Sequence, residues 1–125
     1  MVAADAEGPM AGVTIYGIKA CDTMKKARAW LDAHEIAATF HDYKTAGIAR
    51  ERLEGWIAQV GWEPLVNRAG TTFRNLPDDQ KADLTRDKAV ALMLAHPSLI
   101  KRPVLEAKGR VTVGFKPETY EALFG

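Results

Sequence analysis

Cys21 is the one cysteine of the chain, and it stands between the strand-forming run Val13-Thr14-Ile15-Tyr16 and a helix-forming run that begins next to it. Unpaired N–H groups and the positive end of the dipole at a helix start stabilise an anion. A thiolate is such an anion, so the Cys21 thiol is expected to ionise below the usual ~8.5. Lys25, one turn on, would add positive charge. The competing reading is a small buried hydrophobe, which is what most free cysteines are. A lone cysteine excludes an intramolecular disulfide and C-x-x-C zinc or dithiol chemistry. Any oxidised Cys21 must therefore be resolved by a thiol from outside.

Other reactive patterns are weaker. Cys21 to Arg28 is C-x6-R with no glycine-rich cradle between, which rules out a phosphatase-like C-x5-R loop. His34, His41 and His96 show no metal-ligand spacing. His96 precedes Pro97 and reads as a capping or packing residue. Trp30, Trp56 and Trp62 read as core packing.

The elements that must position Cys21 follow from periodicity. Val13 to Tyr16 is β-branched and aromatic and ends at Gly17, a strand. Met24, Ala27, Trp30 and Leu31 recur at helical spacing, with Asp22 or Thr23 as the expected cap. Ala38 to Tyr43 reads as a second strand with Phe40 inward. Strand, helix and strand at this spacing suggest a parallel βαβ unit.

The middle is helical. Leu53, Trp56, Ile57 and Val60 form one apolar face, closed by Gly61. Pro64 to Leu76 reads as a loop. Pro77 suits the first turn of a short helix, and Asp87 opens another that His96-Pro97-Ser98 stops. Val104-Leu105-Glu106 and Val111-Thr112-Val113 form a hairpin with Gly109 at the turn. Pro117 begins a last helix with Tyr120, Leu123 and Phe124 on its buried face. The order is an α/β class, β-α-β, a helical insert at about 47–97, then β-β-α. It is a thioredoxin-like order, although pattern alone leaves other α/β folds open.

A chain of 125 residues is one domain's worth and can bury a core without metal or disulfides. A net charge of +1 creates no global field for nucleic acid or membrane, so neither is expected as a partner. No apolar run approaches the ~20 residues of a membrane span. Residues 1–12 are small and weakly acidic, without the features of a signal peptide, and read as a disordered tail in which Met10 is an alternative start. A lone thiol suits a reducing compartment, and the cytoplasm is the expected location.

Several ordered motifs carry a resemblance. The segment from Gly17-Ile18-Lys19-Ala20-Cys21 through Asp22-Thr23-Met24-Lys25-Lys26-Ala27 resembles the active-site segment of the arsenate reductase (ArsC)/Spx family. It is most similar to the YffB-type branch, whose members carry G-I-x-x-C-D-T-x-K-K-A. The likeness continues through Phe40-His41-Asp42-Tyr43 and from Leu65 to Leu76. It resumes at Leu92 to Pro97, Ile100-Lys101-Arg102-Pro103 and Val113-Gly114-Phe115.

The resemblance implies a thioredoxin fold with an inserted helical subdomain, and Cys21 as the redox cysteine. From the residues alone, Arg102-Pro103 signals a turn or an edge strand. The resemblance implies a cis proline beside the cysteine, with Arg102 close enough to stabilise a thiolate or bind an oxyanion. Arg68 and Arg74 flank the loop 69–73. They form either a basic rim for glutathione or another anionic substrate, or a solvated loop that caps the insert. Arg68 stands one place from a position where arsenate reductases carry an arginine, and Gly114 falls near another. Thr71, Thr72 and Asp42 resemble family positions without an assigned role.

The leading expectation is a glutathione-dependent thiol–disulfide oxidoreductase. Cys21 would be the nucleophile, with Lys25 and Arg102 holding it ionised and Pro103, Arg68 and Arg74 at the substrate. Glutathione enters as co-substrate with no bound cofactor or metal, and the partner is a disulfide or an oxyanion. Arsenate reduction proper is the second expectation. A third is an Spx-like regulator that binds RNA polymerase, although Met24 stands where many Spx proteins have a second cysteine.

Overall fold

The computed structural model describes residues 13–19 and 21–124, so the expected tail at 1–12 lies outside the described residues. The chain divides into two compact units. One runs up to Asp42 and resumes at Arg102; the other is Tyr43–Lys101 and contains the expected insert at 47–97.

The first unit is built on a four-stranded sheet. Its strands are β1 (Thr14–Gly17), β2 (Thr39–Asp42), β3 (Val104–Ala107) and β4 (Arg110–Val113), in the order β2-β1-β3-β4. β1 runs parallel to β2, with Thr14 opposite Thr39 and Gly17 opposite Asp42. β3 is antiparallel to both β1 and β4. The β3–β4 turn places Lys108 at φ 56 and Gly109 at φ 73, the doubly left-handed geometry of a tight hairpin.

Helix α1 (Asp22–Ala33) buries Met24, Ala27 and Leu31. These side chains share one core with Val13, Ile15, Leu105, Ala107 and Tyr120 of the closing helix, while Phe40, Phe115, Leu123 and Phe124 pack at its margin. The strand expected over 38–43 is shorter. Tyr43 leaves it because its ring is fully buried and its hydroxyl donates to the Ile100 carbonyl at 2.6 Å, both within the second unit.

The second unit comprises α2 (Tyr43–Ala46), α3 (Arg50–Val60), α4 (Thr71–Arg74), α5 (Asp78–Lys81) and α6 (Arg86–Ala95), with 3-10 turns at Glu63–Leu65 and Pro97–Leu99. Leu53 and Trp56 of α3, Val90 and Met93 of α6, and Leu65, Leu99 and Ile100 are buried. Gly61 ends α3 at φ 85, its N–H donating to the Ile57 carbonyl at 2.8 Å. The segment read as a loop carries α4 and a 3-10 turn, both too short for periodicity to reveal. Pro77 stands just before α5 as its cap. Thr85 caps α6 through its hydroxyl, so that helix begins one residue before Asp87. Helix α7 (Pro117–Phe124) completes the first unit.

Candidate active site

Cys21 is the cap of α1, the place expected for Asp22 or Thr23. Its backbone is extended (φ −132, ψ 129), and its carbonyl accepts the first helical bond from the Lys25 N–H at 3.0 Å. Serine, threonine and aspartate at a cap send a side-chain oxygen back to the open amides. A neutral thiol is a poor acceptor, and Cys21 makes no side-chain capping bond of ordinary geometry. The open amides of the first turn are thereby left to favour a thiolate.

The balance on this sulfur is legible. Partial burial raises the thiol pKa. It is outweighed by the Met24 amide, the Arg102 side chain and the Thr23 amide, each of which favours the anion, and by the Arg102 charge. The net effect places Cys21 below its ordinary value, and the half-buried sulfur packs at the margin of the unit's core. Depressed pKa with partial exposure is the setting in which a cysteine can react, whereas buried structural cysteines are inert.

Arg102 arrives from the far end of the first unit. Its peptide bond to Pro103 is cis, as the resemblance implies. Pro103 is buried, and its carbonyl accepts from the Gly114 N–H at 2.8 Å. β3 begins at the next residue, so the sheet anchors the segment that carries the guanidinium. Lys25 is exposed on α1; the groups acting on the sulfur are those just named. The unpaired N–H groups expected at the helix start are those of Met24 and Thr23. The signal was present, since a cysteine directly before the first helical residue must face them.

Arg68 and Arg74 belong to the second unit and are exposed. Arg74 folds over its own loop: Nη1 donates to the Ala69 carbonyl at 2.9 Å and Nη2 to Thr71 Oγ1 at 3.4 Å. Elsewhere, His34 stacks on Trp30 with ring centroids 3.7 Å apart, and His96 ends α6. Trp56 is buried and Trp30 half-buried. The described residues contain no cluster of His, Cys, Asp or Glu able to hold a metal ion. No helix among them is long and apolar enough to cross a membrane.

The model of the ArsC family matches residues 16–123, a span that contains Cys21, Arg102 and Pro103. The chain belongs to the ArsC family. A solved structure of a YFFB protein is 62% identical, covers 90% of this chain and 99% of its own, and superposes with a TM-score of 0.87. An arsenate reductase (ArsC) related protein from Brucella melitensis is 58% identical, with 90% and 94% covered and a TM-score of 0.72. A Haemophilus influenzae relative is 41% identical over 112 residues, 90% of this chain and 98% of its own length. The global transcriptional regulator Spx of Streptococcus agalactiae is 29% identical over 112 residues, 88% and 81% of the two chains. The fold is thereby that of the arsenate reductase-like, thioredoxin-fold proteins.

Proposed function

We propose that this ArsC-family chain is a glutathione-linked thiol–disulfide oxidoreductase with Cys21 as its single nucleophile. The observation that carries the reading is the Cys21 sulfur at the start of α1, its ionisation favoured by two backbone amides and by Arg102. The Cys21 thiolate attacks one sulfur of a glutathionylated substrate, forming a Cys21–glutathione disulfide and releasing the substrate thiolate. A second glutathione thiolate attacks that disulfide, regenerating Cys21 and leaving oxidised glutathione. Two glutathione-derived sulfurs end oxidised, the substrate sulfur ends reduced, and no internal thiol is needed.

In this reading Arg102 keeps the nucleophile ionised, with Lys25 exposed one turn along α1. Pro103 carries the chain from Arg102 into β3. The reading places the protein in the cytoplasm, where glutathione is abundant and reduced. Similarity to an arsenate reductase related protein and to Spx supports two other readings, oxyanion reduction and regulation through RNA polymerase.

Mass spectrometry after incubation with oxidised glutathione tests the proposal. The expected result is one glutathione adduct on Cys21, removed by reduced glutathione and absent in Cys21→Ser. A Cys21 that alkylates readily but takes no glutathione would refute it. Polymerase captured by a protein without thiol-exchange activity would favour the regulatory reading.

A further inference from the structure

Gly17 ends β1, and the space where its side chain would stand is already filled. A Cβ built there would overlap Met24 Sδ and lie 2.7 Å from Cε and 3.0 Å from Cγ. Such separations are far inside contact distance, so a methyl at 17 must displace the thioether, the flexible end of a side chain that close packing otherwise holds in place. Met24 itself is fully buried in the core beneath α1. Gly17 is held in the sheet opposite Asp42, so the strand cannot easily yield. Its need for glycine comes from this close approach and not from a left-handed backbone. Met24 is also the third residue of α1, and its amide is one of those that face Cys21 at the cap.

From this geometry we infer that Gly17 is a positioning residue for the Cys21 thiolate: the missing side chain lets Met24 seat against β1, and that seat sets the first turn of α1 under the sulfur. The inference deepens the proposed function and rests on Cys21 being its nucleophile. Met24 then has two separable parts. The thioether is the peg that fixes the turn against the strand, and the amide is the group that favours the anion. A side chain at 17 expels the peg, tilts the first turn and moves the amide away from sulfur. The thiol then loses stabilisation while the catalytic atoms themselves are untouched.

The test is the pH profile of Cys21 alkylation by iodoacetamide in four proteins: wild type, Gly17→Ala, Met24→Ala and the double variant. Alkylation follows the thiolate fraction. Gly17→Ala is expected to raise the midpoint and to slow alkylation at neutral pH by roughly threefold or more. Met24→Ala keeps the amide but removes the peg, so its midpoint should also rise, alongside the lower stability left by the cavity. In the double variant the new methyl meets no thioether, so its midpoint should match that of Met24→Ala. An unchanged midpoint in folded Gly17→Ala or in Met24→Ala overturns the inference, as does a double variant shifted by the sum of the two single changes. If Gly17→Ala does not fold, Met24→Ala decides: a raised midpoint supports the role of the seat and an unchanged one refutes it. Glutathione takes no part in these measurements. A wild type that forms no glutathione adduct while the four profiles behave as stated would remove the proposed function and leave the positioning role standing.

Discussion

The Arg102 side chain hydrogen-bonds the Cys21 sulfur, and its charge further favours the thiolate. The guanidinium just before β3 thus acts on the start of α1. Arg102→Ala removes both the bond and the charge, so the alkylation midpoint of Cys21 should rise. Arg102→Lys keeps charge but loses the planar fork, and its midpoint should fall between the two. Rates of iodoacetamide modification against pH measure this directly. An unmoved midpoint in Arg102→Ala would leave the backbone amides as the whole cause.

The same ionisation couples to folding. The folded thiol lies below its ordinary value, whereas the unfolded chain returns to ~8.5. A depressed acidic group contributes stability that is fully present above the unfolded pKa and is lost as pH falls through the folded one. Relative to Cys21→Ser, which does not ionise in this range, wild type should therefore gain stability as pH rises towards ~8.5. The gain should be small because the sulfur is half-exposed. Urea midpoints of the two proteins at a series of pH values test the sign; a gap that narrows on the alkaline side contradicts it.

Tyr120 presents the opposite case. Its side chain is fully buried among Trp30, Phe115 and Phe124, and its hydroxyl has no hydrogen-bond partner among the described residues. An unsatisfied buried hydroxyl costs about 1–3 kcal/mol. Tyr120→Phe keeps the ring contacts and deletes that cost, so it should be neutral or stabilising by about 1 kcal/mol in urea unfolding. Burial also pushes the phenol pKa upward. The neutral ring's contribution is therefore present below the unfolded value of ~10 and declines above it. Tyr120→Phe should lose less stability than wild type in that alkaline range. A clear loss of stability at neutral pH would reveal a partner for the hydroxyl.

Arg68 and Arg74 are predicted to differ. Both are exposed, but Arg74 braces the Ala69 carbonyl and the Thr71 hydroxyl. Arg68→Ala should leave the amide hydrogen exchange of the loop at 69–75 and the Cys21 alkylation profile unchanged. Arg74→Ala should speed amide hydrogen exchange across 69–75, because its guanidinium closes that loop. Equal exchange in the two variants would remove the bracing role of Arg74.

The strands and longer helices were legible because their side chains obey a period. Met24, Ala27 and Leu31 mark α1, Leu53, Trp56 and Ile57 mark α3, and the runs around Gly109 mark the hairpin. Helices α4 and α5 span a single turn each, too few residues for a period to appear. The Cys21 cap was hidden by Asp22 and Thr23, whose oxygens make them the usual capping types. The seat of Met24 against Gly17 is a contact between a strand end and a helix turn, and no local pattern encodes it. Arg102 beside Cys21 is likewise a long-range juxtaposition, which only the family resemblance suggested.

Arsenate sharpens the question of substrate, and this protein is predicted to reduce it poorly. Like a phosphate group, arsenate carries about two negative charges at neutral pH. To react it must approach a thiolate, and the two anions repel. Several cations are needed to offset that repulsion, and arginine suits the task through paired bonds to oxygen. Among the described residues, Arg102 is the cationic side chain that acts on Cys21. Gly114, near a position where the resemblance implies another arginine, offers no side chain and donates its N–H to the Pro103 carbonyl. Arg74 is engaged within its own loop. Loss of one charge contact made in the transition state typically costs ~100-fold in rate. A glutathione mixed disulfide meets a lighter demand, since the sulfur under attack is neutral. With both activities measured on one preparation, reduction of the mixed disulfide should exceed arsenate-dependent oxidation of glutathione by roughly 100-fold or more. Comparable rates, both abolished by Cys21→Ser, would sink this prediction and make an oxyanion the better substrate.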